Sequence, residues 1–377
     1  MTILGQAPTL IPPHYLHHST LFSLGDTYIF DVTFGAGNAI VSASNHQIKL
    51  YNPEKLSIVR TLDFHKDNVS QIRVYKDQFL LSGSKDGTVA MWDLRTECTT
   101  PAQLFQAPQR EPILCIDVNS SETLLAAGTE LVEEDAKVLF WDARNSQFMS
   151  QFVETHCDDI TLLHFHPTNP MQLLTGSTDG LVSLYDVTQF DEDEAVTAVI
   201  NSGSSVHRAN FFGPNSEYVY CLTHIETLSL WHAETSECIF DFGDVRKTSS
   251  PGVMQLDYVI DCHYDNSGQR LYLLGGSNQG DINMLHVNVG ELQLCQVLAG
   301  GHSEVVRSIH WSPSSNFLIS GAEDAKLCLW TTSPPLPSTT SIPSTSLGDH
   351  SGRSHVFKKF DSSSSRHNPY RQKGNNT

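Results

Sequence analysis

The 377 residues carry 23 Lys and Arg against 42 Asp and Glu, a net charge of −19, with 39% hydrophobic and 17% charged side chains. Such a chain has the apolar content for a large core, and its charge argues against the body of the protein gripping phosphate backbones or anionic membranes. No apolar run approaches the ~18 residues of a membrane helix, and with Lys49 as the first basic residue no secretory leader is expected.

In chain order, Gly35-Ala36-Gly37-Asn38-Ala39-Ile40 opens like a dinucleotide fingerprint. It lacks the third glycine and any helical pattern after it, so a turn between strands is the simpler reading. Residues 39–44 and 47–51 then read as short strands separated by Asn45-His46. Residues 79–83 and 88–92 flank Lys85-Asp86-Gly87, and Asp-Gly is a strong hairpin signal. Upstream of this hairpin stands His65, and it ends on Met91-Trp92-Asp93.

The same arrangement returns twice. His156 precedes Leu173-Leu174-Thr175-Gly176-Ser177-Thr178-Asp179-Gly180 and Leu184-Tyr185-Asp186. Gly301-His302 precedes Leu318-Ile319-Ser320-Gly321-Ala322-Glu323-Asp324 and Leu329-Trp330. In all three the hydroxyl residue stands four before the Asp, and the Asp six before the aromatic. Weaker copies end at Tyr51, Trp141, Trp231 and Leu285, so seven units follow one another at intervals of 41 to 54 residues. Helical periodicity is absent. Four short strands per unit, seven times over, close an all-β, seven-bladed β-propeller.

Gly-His, the Ser/Thr-to-Asp-to-aromatic spacing and the terminal Trp-Asp resemble the WD-repeat family over about residues 14 to 331. The resemblance implies a buried network in each regular blade, in which a His bonds the hairpin Asp while Ser or Thr and the aromatic complete the set. The implied sets are His65, Ser82, Asp86, Trp92; His156, Thr175, Asp179, Tyr185; and His302, Ser320, Asp324, Trp330. The irregular units offer Ser42 and Asn45 in blade one, Ala127 in blade three, Ile225 in blade five and Gln279 in blade six. Those blades are expected to hold by apolar packing. After Trp330 the chain runs Thr-Thr-Ser-Pro-Pro, a poor strand, and family practice implies that residues 14–21 supply the missing outer strand. Residues 1–13 then form an N-terminal extension, 14–331 the propeller, and 332–377 a disordered Ser- and Pro-rich basic tail. From Thr331 onward the tail carries six basic and two acidic side chains, leaving −23 on the rest.

His, Ser and Asp are also the residues of a hydrolase triad. Three copies in register with a terminal aromatic point instead to structural networks, since a triad needs an exposed nucleophile. There is no G-x-S-x-G, no phosphate-binding loop and no H-E-x-x-H. No enzyme activity, cofactor or metal is expected; the His14/His17/His18 and His164/His166 groups are read as mobility and strand alternation. The eight cysteines show no CxxC spacing and are read as reduced thiols of a cytosolic or nuclear protein.

Two surface signals bear on partners. Trp92-Asp93-Leu94-Arg95 and Trp141-Asp142-Ala143-Arg144 follow a pattern that in some WD-repeat proteins marks docking to the DDB-one adaptor of cullin-four ubiquitin ligases. Each Arg either presents its planar guanidinium to a partner or pairs with its neighbouring Asp. By the same resemblance the residues before the network Asp, namely Lys85, Thr178 and Glu323, face a partner at the top rim. The acidic runs Glu130–Asp135 and Asp191–Glu194 are read as solvated loops or as landing sites for a basic protein such as a histone or ribosomal protein. Nucleic-acid contact is not expected for the ring and is left open for the tail. The expected molecule is a monomeric interaction scaffold of nucleus or cytoplasm, with a nuclear or nucleolar assembly factor as the alternative.

Overall fold

The computed structural model describes residues 11–23, 27–247, 256–312 and 317–334. Contacts divide the chain into Met1–Pro335 and Leu336–Thr377. All described residues fall in the first unit, so the expected disordered tail beyond Pro334, like residues 1–10 of the extension, lies outside them.

A single strand, β1 (Tyr15–Leu21), opens the described chain. Blade one is β2 (Ile29–Gly35), β3 (Asn38–Ala43), β4 (Ile48–Tyr51) and β5 (Ile58–Leu62). Blade two is β6 (Val69–Tyr75), β7 (Phe79–Ser84), β8 (Thr88–Asp93) and β9 (Gln103–Gln106). Blade three is β10 (Ile113–Val118), β11 (Leu124–Thr129), β12 (Val138–Asp142) and β13 (Phe148–Phe152). Blade four is β14 (Ile160–Phe165), β15 (Gln172–Ser177), β16 (Leu181–Asp186) and β17 (Val196–Asn201). Blade five is β18 (Val206–Phe212), β19 (Tyr218–Thr223), β20 (Thr227–His232) and β21 (Cys238–Asp244). Blade six is β22 (Tyr258–Asp265), β23 (Arg270–Gly276), β24 (Ile282–Asn288) and β25 (Glu291–Leu298). Blade seven joins β26 (Val306–Ser312), β27 (Phe317–Ala322) and β28 (Lys326–Thr331) to β1.

Each blade is one antiparallel four-stranded sheet, so the described chain is a seven-bladed propeller. β1 runs antiparallel to β28 from Tyr15 opposite Thr331 to Leu21 opposite Lys326. The first and last strands of the ring are therefore one sheet. One difference from the all-strand reading is α1 (Glu192–Ala195), a single helical turn, with a 3₁₀ turn at Val245–Lys247.

Alternation explains why the blades stick together. Successive residues of a strand face opposite sides of the sheet, so the middle strands offer one apolar set to each neighbouring blade. Seven buried clusters result, one per blade interface; Ile40, Leu50 and Leu62 of blade one meet Ile72, Leu80 and Trp92 of blade two in one of them. Glycine lets the blades approach: a Cβ on Gly321 of β27 would lie 2.3 Å from Ile29 of β2.

A second, polar belt, carried by the innermost strands and by Tyr220 of β19, crosses every interface. The Ser308 hydroxyl donates to Asp31 at 2.9 Å, and Asp31 takes the Ile72 N–H at 3.0 Å. Gln71 takes the Ile116 N–H at 2.7 Å, and Asp117 the Phe165 N–H at 2.9 Å. Thr161 donates to the Val206 carbonyl at 3.0 Å, and Tyr220 donates to Asp261 at 2.9 Å. The Val306 N–H reaches the Tyr258 hydroxyl at 2.7 Å. These bonds satisfy polar groups that the narrowing centre of the ring removes from water.

Candidate functional site

The hairpin residues implied by the resemblance come together in three blades. In blade two His65 lies 3.1 Å from Asp86 through Nδ1 and 2.8 Å from Ser82 through Nε2, and the Trp92 indole N–H donates to Ser82 at 2.9 Å. In blade four His156 lies 2.9 Å from Asp179 and 2.7 Å from Thr175, which is 3.4 Å from the Tyr185 hydroxyl. In blade seven His302 lies 3.3 Å from Asp324 and 2.7 Å from Ser320, which accepts the Trp330 indole N–H at 2.8 Å. A ring carrying its proton on Nδ1 donates to Asp and accepts from the hydroxyl, so every partner is satisfied. Ser82, Thr175 and Ser320 are fully buried. Each is thus held as a hydrogen-bond junction, away from any substrate. Burial alone would push the Asp86 carboxyl up; the hydrogen bonds from His65, Thr88 and Lys66 outweigh it and hold it below the ordinary carboxylate range. Asp179 and Asp324 are lowered in the same way by their histidines.

Register corrects two positions in the irregular blades. Ser42 does not take the network position of blade one. The position opposite Val32, matching Ser82 opposite Ile72, belongs to Val41, and Ser42 sits where Gly83 sits in blade two. The Ser42 hydroxyl is buried without a hydrogen-bond partner among the described residues. In blade six Val287, not Leu285, lies opposite Leu271 as Trp92 lies opposite Leu80. The hydroxyl position there is Leu273, fully buried among apolar neighbours.

Blade three replaces the network with an ion pair. Lys137 Nζ lies 3.0 Å from Glu111, with side chains 7% and 3% exposed. The Lys137 N–H also donates to Thr129 at 2.8 Å.

The nominated contact residues divide between opposite ends of the strands. Lys85, Thr178 and Glu323 lie in turns joining second and third strands, which share a face with the links between blades. Asp93, Arg95, Asp142 and Arg144 lie in turns joining third and fourth strands, on the other face. On the first face Lys85 is already paired across blades with Glu130 at 3.0 Å, and Glu323 holds Arg307.

On the second face both Trp-Asp-x-Arg turns have the same form. Asp93 accepts the Arg95 N–H at 3.0 Å and the Arg95 side chain at 2.9 and 2.7 Å. Asp142 repeats this with Arg144 at 2.9, 2.9 and 2.7 Å. Arg95 also lies over the Phe79 ring at 5.2 Å. The hydrogen bonds from each arginine hold Asp93 and Asp142 down at about 2. The two turns are neighbours, since Gln103 of blade two reaches the Ala143 carbonyl of blade three at 3.3 Å. Asp186-Val187-Thr188 of blade four makes the same turn with Thr188 in place of arginine, its N–H 2.9 Å from Asp186. The aspartate therefore builds the turn and the arginine is the variable addition.

Glu133, Glu134, Asp135, Asp191, Asp193 and Glu194 of the acidic runs are exposed, as solvated loops require, whereas Glu130 and Glu192 are half-buried. Glu192 takes the backbone N–H groups of Val153, Glu154 and Thr155 at 2.7, 2.8 and 2.9 Å, fixing the loop that carries His156. A cleft of about 470 Å³ between blades four and five is lined by Asp186, Glu217 and Glu234 together with His166 and His232. His164, read as strand alternation, sits in the central channel with its Nδ1 3.0 Å from Arg73, which also binds Asp117 at 3.3 Å. Isolated charged residues inside apolar first strands, such as Asp31, Asp117 and Asp261, are the sequence signal of this channel. No group of His, Cys, Asp and Glu able to hold a metal occurs among the described residues.

The family model for the WD domain, G-beta repeat, matches residues 56–93, 148–186 and 293–331. Those are the spans of the three complete networks. WD repeat-containing protein 89 homolog of Dictyostelium discoideum is 30% identical over 326 residues, 85% of this chain and 88% of that protein. This chain belongs to the WD-repeat family. WD repeat-containing protein GTS1 of Arabidopsis thaliana is 32% identical over 335 residues, 84% of each chain. Nucleoporin Nup43 of Homo sapiens is 25% identical over 191 residues, 49% of this chain and 47% of that protein. WD-repeat propellers are typically non-catalytic and generally bind proteins.

Proposed function

We propose that this WD-repeat protein is a non-catalytic interaction scaffold that acts as a substrate receptor, docking the DDB-one adaptor of a cullin-four ubiquitin ligase through Arg95 and Arg144. The observation that carries the reading is the pair of neighbouring Asp-x-Arg turns. Each arginine pairs with its neighbouring aspartate through Nε and one Nη, yet the two side chains remain 57% and 69% exposed, which leaves the other Nη edge for a partner. A side chain held in place before binding loses less entropy on docking, and a planar guanidinium suits bidentate contact. Lys85, Thr178 and Glu323 on the opposite face are then left to a second partner, the substrate.

Pulldown of the adaptor tests this. The wild type recovers it and the Arg95→Ala/Arg144→Ala variant does not; equal recovery by both, or none by either, ends the receptor reading.

A second reading rests on the cleft of Asp186, Glu217 and Glu234, whose charge suits a basic protein. With the tail, it supports an assembly factor working in the nucleus, a setting that similarity to a protein named as a nucleoporin also favours. Charge reversal at Glu217 and Glu234 abolishes capture of basic partners under this reading and leaves adaptor recovery unchanged.

A further inference from the structure

The central channel encloses a cavity of about 260 Å³ whose lining includes Asp31, Arg73, Arg208, Asp261 and Arg307. Its carboxylates are already used by the polar belt. Asp31 accepts from Val32 N–H at 2.9 Å as well as from Ser308 and Ile72, and Asp261 accepts from Tyr220 and the Cys262 N–H at 2.7 Å. Two of the three arginines are used as well: Arg73 by Asp117 and His164, and Arg307 by Glu323.

Arg208 differs. It has no hydrogen-bond or ion-pair partner among the described residues, and it acts on Asp31 and Tyr220 only through space. Its chain neighbour His207 stands 5.0 Å ring to ring from His224. Burial pushes His207 down to about 3, helped by Arg208, His224 and Arg307 and opposed by a hydrogen bond to the Ile260 backbone. In this lining three guanidiniums face two carboxylates, and the half-buried Arg208 is the guanidinium with no bonded partner among the described residues. Leaving a charge in low dielectric without a partner is costly, and an oxyanion satisfies a guanidinium better than water does.

We propose that the channel binds a small oxyanion of phosphate type at Arg208, between blades five and seven. The cavity bounds the ligand: it has room for a phosphate group and its immediate substituent, not for a folded partner. Free phosphate and a phosphorylated side chain share this chemistry. The site is independent of the two rims.

The test is titration of the full chain with inorganic phosphate by calorimetry, alongside a phosphoserine peptide. Saturable binding is expected, at least 10-fold weaker in Arg208→Gln and restored to within about threefold by Arg208→Lys, whose charge is kept. Binding of inorganic phosphate identifies a free anion as the ligand source; binding of the peptide alone identifies a phosphorylated side chain. The Arg208 side-chain Nε–H signal of the wild type, assigned by its loss in Arg208→Lys, shifts on addition of the bound species, which keeps the proposal testable should glutamine unfold the ring. No saturable binding of either species, equal binding by Arg208→Gln, or an unmoved Arg208 signal overturns it.

Discussion

Blades two, four and seven and blades one, three, five and six have the same four strands, yet they satisfy their interiors differently. The first group spends a fully buried hydroxyl on a His–Asp–aromatic junction. The second dispenses with it. Blade one puts Val41 there, blade three Ala127 with a buried Lys137–Glu111 pair nearby, blade five Cys221 and blade six Leu273. The apolar interfaces are common to all seven. What builds the ring is therefore the interface packing and the polar belt, and the network is a local solution to polar groups near one rim.

The sharpest way to break this comparison is in blade three. Lys137→Ala strands Glu111 as a buried, unpaired carboxylate, a loss of about 3–5 kcal/mol. Replacing both partners at once, Lys137→Met with Glu111→Leu, should cost far less; chemical denaturation measures both. Equal losses in the two variants would show that the pair is not a self-contained substitute for the network.

Acid distinguishes the groups next. The folded carboxyls of Asp86, Asp179 and Asp324 lie below their unfolded value of about 3.9. Their contribution is fully present above that pH and is lost as pH falls from there through the folded values. Denaturation midpoints followed downward from pH 5 should drop less steeply for Asp86→Asn than for the wild type. Parallel curves would contradict the assignment.

A smaller effect sharpens blade seven. Ala325 occupies the left-handed position, φ 59°, filled by Gly87 and Gly180 in blades two and four. Ala325→Gly should raise stability by about 0.5–1 kcal/mol, because a Cβ is strained there; thermal melting reads it.

The regular blades were legible because Asp-Gly turns and fixed spacings tie the hydroxyl, carboxylate and aromatic into one pattern. Blade one misled because Ser42 stands nine residues before Tyr51, whereas counting back ten, as from Trp92 to Ser82, lands on Val41. A one-residue slip moves a side chain to the other face of the sheet. Blade six lacked any polar marker to fix its register, which left Val287 unseen. The channel and the loop held by Glu192 were beyond local pattern, since Asp31, Tyr220 and Glu192 act across blades or loops 37 to 41 residues away. The same limit hid the fact that the two sets of contact residues face opposite ways.

Ser82 and Ser42 give the most direct test, being fully buried serines on the second strands of adjacent blades. Ser82 joins His65 to Trp92, and Ser42 has no hydrogen-bond partner among the described residues. The measurement is the change in unfolding free energy on the same substitution at each. Ser82→Ala should lose about 1–3 kcal/mol by orphaning two buried partners, and Ser42→Ala should lose none. Equal losses at the two positions would contradict the account.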